Sequence, residues 1–185
     1  MSAAVFLDRD GTLIEDPGFI RAPSDVRLYP GAAEAVRRLN ATRRSVVVVT
    51  NQSGIARGLI QPSEYEAVTR RLDGLLGEAG ARLDATYFCP HYPPISGPCD
   101  CRKPGTRHYG DAAERLGLDL AGSVWIGDRL TDLLPAVAFG GRGILVRTGE
   151  GNRGVADAAA HGFEVFRDLA EAVDALLRGT SATAP

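Results

Sequence analysis

Short runs of β-branched and aromatic residues alternate along the chain with longer stretches whose apolar positions recur at helical spacing. The β-type runs occupy residues 4–7, 46–49, 85–88, 124–126 and 144–146, with a weaker one at 163–166. Their apolar residues are continuous rather than alternating, which is the pattern of strands covered on both faces. Between them, residues 32–43 follow Gly31 and carry Ala35, Val36 and Leu39 on one stripe, predicting an amphipathic crossover helix. Residues 62–79 open on proline, show a Ser63-x-x-Glu66 capping-box pattern and align Val68, Leu72, Leu75 and Leu76, predicting a second helix. Residues 109–116 and 169–177 read as helices by the same test. So do residues 130–139, where Pro135 must sit in the first turns or kink the helix. Strand and helix alternating in this way predict an α/β domain with a mainly parallel central sheet.

The chain has 185 residues and 44% hydrophobic positions, enough for one packed core. One domain is expected over residues 1–178, with residues 179–185 as a flexible tail of small and polar side chains. A net charge of -2 without a basic run argues against a nucleic-acid partner. No apolar run approaches a membrane span, and the start lacks signal-peptide character, so a cytoplasmic protein is expected. Two features stand out of the composition: 20 of the 21 basic residues are arginine, and the one lysine, Lys103, lies close to all three cysteines, Cys89, Cys99 and Cys101.

Ligands of open α/β sheets bind beyond the carboxyl ends of the strands, the edge where Asp8, Thr50, Cys89 and Asp128 should emerge. Asp8-Arg9-Asp10-Gly11-Thr12 follows the first strand. Two carboxylates at this spacing can hold a hard cation or divide nucleophile and acid/base roles; a capped polar turn is the simpler alternative. Thr50-Asn51-Gln52-Ser53-Gly54 follows the second strand with groups suited to phosphate oxygens, and Gly127-Asp128-Arg129-Leu130-Thr131-Asp132 follows the fourth with two more acids. Lys103 would add a compact ammonium that contacts phosphate as a point charge.

Cys89, His91, Cys99 and Cys101 form two tight pairs joined by a short loop, residues 89–101. Three thiolates and an imidazole suit a closed, structural Zn²⁺ site, with buried free thiols as the alternative. Zinc would clip the loop to the third strand and present Arg102 and Lys103, the next two residues. His108 and His161 lie outside any cluster and read as solvated or capping residues, Trp125 reads as core, and the arginine pairs at 37–38, 43–44 and 70–71 read as solvated helix faces.

In order and spacing, Asp8-x-Asp10-Gly11-Thr12, Thr50, Lys103 and Gly127-Asp128-x-x-x-Asp132 resemble the four motifs of the haloacid dehalogenase superfamily of phosphotransferases. Thr50-Asn-Gln-Ser-Gly-Ile-Ala-Arg-Gly58 and Cys99-Asp-Cys-Arg-Lys-Pro104 are similar to its heptose bisphosphate phosphatases more than to the related histidinol-phosphate phosphatases. The resemblance implies a Rossmann-like three-layer sandwich with a zinc-binding loop and no large cap domain. It implies a phosphatase that removes the 7-phosphate of a heptose 1,7-bisphosphate, with histidinol phosphate or another small phosphomonoester as the alternative substrate. Asp8 would be the nucleophile and Asp10 the acid/base. Mg²⁺ would be held by the Asp8 carboxylate, the Asp10 carbonyl and the Asp128 carboxylate, with Asp132 orienting them from outside. Thr50 and Lys103 would bind the phosphoryl oxygens. Asp16, Pro17, Gly18, Phe19, Asn51, Gln52, Ser53, Arg102 and Arg129 would line the substrate.

Overall fold

The computed structural model describes residues 1–181. Six strands, β1 (Ser2–Leu7), β2 (Ser45–Asn51), β3 (Ala85–Cys89), β4 (Leu118–Gly127), β5 (Arg142–Val146) and β6 (Glu164–Phe166), form one sheet in the order β3-β2-β1-β4-β5-β6. Every pairing is parallel, so the sheet goes beyond the expected mainly parallel arrangement. The helices are α1 (Ala32–Asn40), α2 (Pro62–Glu78), α3 (Pro93–Ser96), α4 (Arg107–Leu116), α5 (Leu130–Phe139), α6 (Val155–Ala160) and α7 (Leu169–Ser181).

Side chains of successive strand residues point to opposite faces, and the core divides accordingly. Val5, Leu7, Val46, Val48 and Ile126 meet the apolar stripes of α1, α2 and α7. Phe6, Val47, Val49 and Trp125 meet Tyr109 and Ala112 of α4 and Ala136 of α5, while α6 closes the same layer near Leu145 and Leu133. The result is the three-layer sandwich. Trp125 is core, stacked between Phe6 at 4.9 Å and Phe139 at 5.9 Å.

Local departures from the sequence reading have identifiable causes. Helix α2 is capped two residues earlier than the Ser63-x-x-Glu66 pattern suggests. Gln61 is the N-cap, Pro62 opens the helix, and the Glu64 carboxylate accepts from Gln61 N at 2.7 Å. Helix α1 stops at Asn40 rather than 43, where the Thr42 hydroxyl donates to Leu39 O at 2.7 Å and offers the backbone an alternative to another turn. Strand β4 begins at Leu118, across Asp119 and Gly122 that hide it from a hydrophobic scan, and its pairing with β1 shifts register between Ala3 and Val5. Helix α7 continues through Ser181 into the expected tail, and residues 182–185 lie outside the described residues. The alanine-rich α6 and the four-residue α3 inside the cysteine loop were not expected.

The strand order places β1 between β2 and β4, so the connections leaving β1 and β4 diverge at the centre of the carboxyl edge. This switch point is where open α/β sheets bind ligands, and Asp8 and Asp128 stand on its two sides.

Candidate active site

Asp8 follows β1 directly and Asp128 follows β4, and the first turn of α5 brings Asp132 back toward both. Oxygens of the three carboxylates lie within 4.8 Å of one another, and all three residues are buried. Lys103 is driven into this group from the cysteine loop. Its ammonium donates to Asp8 Oδ1 at 2.5 Å and to Val49 O at 2.7 Å, and pairs with Asp132 Oδ1 at 2.8 Å. Three N–H donors thus meet three acceptors. Burial alone would lower the Lys103 pKa, but Asp132 and Asp8 more than offset it and hold the ammonium protonated. Burial pushes the Asp8 carboxyl well up, and the charges of Asp132, Asp128 and Asp10 push the same way, while Lys103 pulls it down. Asp128 is pushed up to about 6 by burial and then by Asp132.

One oxygen of Asp128 is committed: Oδ2 accepts from Glu150 N at 2.8 Å. Its Oδ1 is buried with no hydrogen-bond partner. A buried oxygen without a donor, on a carboxylate gathered with two others, fits a hard cation with oxygen ligands. Glycine permits this crowding. Gly11 and Gly149 both have positive φ, and a Cβ on either would overlap the Asp128 carboxylate.

Asp10 stands apart from the three clustered acids. Arg9 Nε donates to its Oδ1 at 3.0 Å, Arg9 Nη2 to its Oδ2 at 2.9 Å, and Gln52 Nε2 to Oδ2 at 2.7 Å. The same Gln52 amide reaches Thr50 Oγ1 at 2.9 Å. Gln52, expected to line the substrate, therefore spends its amide on Asp10 and Thr50. Asn51 is similarly engaged: its side chain accepts from Lys103 N at 3.0 Å and donates to Lys103 O at 3.3 Å, tying the lysine's backbone to the end of β2.

The cysteine loop gathers four donor atoms. Cys89 Sγ lies 3.1 Å from Cys101 Sγ and 3.7 Å from Cys99 Sγ, and His91 Nδ1 lies 3.2 Å from Cys101 Sγ and 3.6 Å from Cys89 Sγ. All three cysteines are free, and a tetrahedral ion bound by sulfur at about 2.3 Å needs its four donor atoms gathered in such a cluster. The set is compatible with zinc. Arg102 Nη1 donates to His91 O at 3.3 Å, so the cluster carries the residues that follow it.

A cavity of about 590 Å³ opens over Asp8, Asp10 and Lys103. The expected residues Asp16, Gly18, Phe19, Thr50, Asn51, Gln52, Ser53, Arg102 and Arg129 reach its wall, as does Asp132. Pro17 does not; it lines a smaller neighbouring hollow with Asp16 and Tyr29. Asp128, 1% exposed, is too buried to reach the wall. Arg57 and Ile60 also line the cavity, although the sequence reading passed over them inside the glycine-bounded loop after β2. The Arg57 guanidinium lies 5.1 Å from the Phe19 ring centroid and 5.0 Å from that of Tyr92. Among the described residues it has no carboxylate partner. Arg9 was missed as well, because an arginine between two aspartates gives no sign in sequence of being buried. Of the two histidines set aside, His108 Nε2 donates to Phe88 O, 3.0 Å away, and His161 Nδ1 donates to Asp157 O at the end of α6.

Comparison with known proteins matches residues 100–172 to a family model described as HAD-hydrolase-like. The D-glycero-beta-D-manno-heptose-1,7-bisphosphate 7-phosphatase of Haemophilus ducreyi is 42% identical over 153 residues, covering 80% of this chain and 84% of that protein. Among solved structures, the D,D-heptose 1,7-bisphosphate phosphatase of B. bronchiseptica, complexed with magnesium and phosphate, superposes with a TM-score of 0.88. It is 37% identical and covers 97% of this chain and 99% of its own. The corresponding enzyme of Burkholderia thailandensis gives a TM-score of 0.70 at 32% identity, covering 95% of this chain and 99% of its own. With the four acids, the buried lysine and the cysteine cluster all in place, the chain belongs to the heptose bisphosphate phosphatase family of haloacid-dehalogenase-like hydrolases.

Proposed function

We propose that the protein hydrolyses the 7-phosphate of D-glycero-D-manno-heptose 1,7-bisphosphate through an aspartyl-phosphate on Asp8, with residues 1–178 acting as one domain. The observation that carries this reading is the buried ammonium of Lys103, 2.5 Å from Asp8 Oδ1, on the floor of a cavity whose wall includes Arg57, Arg102 and Arg129. A phosphoryl group at Asp8 meets the lysine, and a second phosphate at the rim meets the arginines. Arg57 in particular keeps its in-plane N–H donors free, the geometry that grips phosphate oxygens in pairs. Asp16, Gly18, Phe19 and Ser53 would line the sugar between the two ends, with Pro17 supporting that loop from behind.

In this reading an Asp8 oxygen attacks phosphorus and Asp10 protonates the departing sugar oxygen, then takes a proton from the hydrolytic water. Thr50 Oγ1 and Lys103 Nζ bind the phosphoryl oxygens. Phosphoryl transfer spreads charge over those oxygens, so fixed donors and charges supply most of the catalysis. Mg²⁺ would be held by the Asp8 and Asp128 carboxylates and the Asp10 carbonyl, where it supplies positive charge against the phosphoryl oxygens. Asp132 would hold Lys103 and the Arg129 backbone, whose N–H it accepts at 2.9 Å. Zn²⁺ would be held by Cys89, His91, Cys99 and Cys101 as a structural clip. The free thiols support a cytoplasmic setting, and the small sugar phosphate is the partner of a monomer.

The test is a kinetic panel of both heptose bisphosphate anomers, histidinol phosphate and common sugar phosphates with Mg²⁺ present. The expected result is a kcat/KM for heptose bisphosphate at least about tenfold above every other substrate, with turnover abolished in Asp8→Asn. A preference for histidinol phosphate would reassign the substrate, and retained turnover in Asp8→Asn would remove the nucleophile.

A further inference from the structure

We propose that Arg9 is a positioning residue for the acid/base and, with Gln52, commits a single oxygen of Asp10, Oδ1, to proton transfer; the proposal rests on the aspartyl-phosphate reading above. The geometry is specific. Arg9 Nε and Nη2 grip the two oxygens of Asp10 as a fork, at 3.0 and 2.9 Å, and Gln52 Nε2 adds a second donor to Oδ2 at 2.7 Å. Each carboxylate oxygen has two lone pairs. Oδ2 has two donors and is saturated, whereas Oδ1 has one and keeps a lone pair. Asp10 borders the cavity, and the guanidinium is anchored away from solvent, 2% exposed and 5.6 Å from the Tyr65 ring centroid.

Anchoring the loop does not by itself require this arrangement. Arg9 Nη1 is buried without a partner, and Tyr65 Oη beside it is also unpartnered. A buried cation with an unsatisfied donor is a costly way to fill space, since an apolar side chain of similar volume does so at equal or lower cost. What arginine adds over an apolar residue is a planar fork that fixes the plane of a carboxylate. The Gln52 amide extends the clamp to Thr50 Oγ1 at 2.9 Å, so the proton-transfer group and a phosphoryl-binding hydroxyl are held by one side chain.

In the first half-reaction the bond from Asp8 oxygen to phosphorus forms as the bond from phosphorus to the sugar oxygen breaks. That oxygen takes the electron pair and the proton carried on Asp10 Oδ1. In the second, water attacks phosphorus, the bond to Asp8 breaks with its pair returning to the carboxylate, and Oδ1 takes a proton from the water. Arg9 and Gln52 transfer nothing; they keep Oδ1 aimed at the same point in both halves.

The experiment measures kcat/KM, which reports the first half-reaction, across phosphomonoesters whose leaving groups range from alkoxides to 2,4-dinitrophenolate. Wild type, Asp10→Asn, Arg9→Met, Arg9→Lys, Gln52→Leu and the Arg9→Met/Asp10→Asn double variant are compared. A dinitrophenolate departs without a proton, so a defect in the acid shows only with poor leaving groups. General-acid catalysis is worth about 10²–10⁴-fold. The expected loss in Arg9→Met is therefore about 10–100-fold on alkyl phosphates and at least several-fold smaller on the dinitrophenyl ester. Arg9→Lys, which keeps the charge, recovers part of the loss. The double variant loses no more than Asp10→Asn alone, because two residues acting through one group are not additive. Gln52→Leu, nearly isosteric and uncharged, shows the same steepened leaving-group dependence and serves where Arg9→Met fails to fold. A loss uniform across the series in both variants, or an additive loss in the double variant, overturns the proposal while leaving the phosphatase reading intact. A uniform loss in Asp10→Asn itself removes the acid assignment on which the proposal rests.

Discussion

At the scale of single residues, the site is governed by how Lys103 is enclosed. Its three N–H donors are matched one to one by Asp8, Asp132 and the Val49 carbonyl, in a slot where the side chain is 2% exposed. A guanidinium carries five donors on a wider planar head, which the three acceptors around the ammonium do not match. Lys103→Arg should therefore lower kcat by at least about a hundredfold, the scale of removing one transition-state donor, and steady-state kinetics checks it. Asp128 sets a pH dependence. Its folded pKa is raised to about 6 above an unfolded value of about 3.9, so between those values the folded state binds the extra proton. Stability then falls as pH rises from about 4 to about 6, with the contribution fully present below that window and lost above it. In metal-free protein, denaturation midpoints should show this decline, and Asp128→Asn should flatten it. Stabilisation by added Mg²⁺ should run the other way, strengthening as pH rises through about 6, because the cation needs the carboxylate ionised. The sequence made the gathering of Asp8, Lys103 and Asp128 at one sheet edge legible because their motifs state residue type and order. Arg9 was missed, and the bonds that Gln52 and Asn51 make to Asp10, Thr50 and Lys103 were not foreseen, because these roles lie in which atoms they satisfy. An amide that binds substrate and an amide that holds a neighbour are the same letter.

At the scale of elements, strands were the most legible and ends the least. Continuous apolar runs located β1, β2 and β5, since burial on both faces leaves that pattern whatever the surroundings, whereas the edge strand β3, only partly buried, was located by its aromatic residues and Thr86. The first half of β4 was hidden by Asp119, Ala121 and Gly122, whose pairing with β1 depends on a register shift that no local pattern encodes. The loop between β3 and α4 shows a different dependence. It has a single turn of helix, α3, none of whose residues is buried, so apolar packing contributes little to its position. Its order rests on the Cys₃His cluster and on the Asn51 clamp that follows. Removing zinc with a strong chelator, or Cys99→Ser, should lower the melting temperature and raise KM more than it lowers kcat, with about one zinc per chain found in the intact protein. Differential scanning fluorimetry, metal analysis and kinetics on the same samples check the three parts. An unchanged KM after zinc loss would mean the loop holds itself.

At the scale of the whole molecule, the sheet is clamped between α1, α2 and α7 on one face and α4, α5 and α6 on the other, and the site lies along one edge of that rigid slab. Helix α5 is the member that couples core to chemistry: its first turn supplies Asp132, and its Leu133, fully buried, packs on Leu145 and Ala158. Leu133→Ala should cost about 2–5 kcal/mol of stability, measurable by denaturant titration, and should reduce activity only through loss of folded protein. The three-layer arrangement was legible from the alternation of strand and helix, because burial on both faces requires covering layers. The side of the sheet on which each helix packs was not, since it depends on the strand order. Among the described residues no helix is long and apolar enough to cross a membrane. All the other basic side chains are arginines, so the sealed position of Lys103 also fixes how the entire surface answers amine chemistry: acylating reagents find no exposed side-chain amine to modify. For the same reason, protein grown on ¹⁵N-labelled lysine carries its only side-chain label at the centre of the catalytic floor. A single ammonium resonance would then report phosphate binding directly, with no assignment to make.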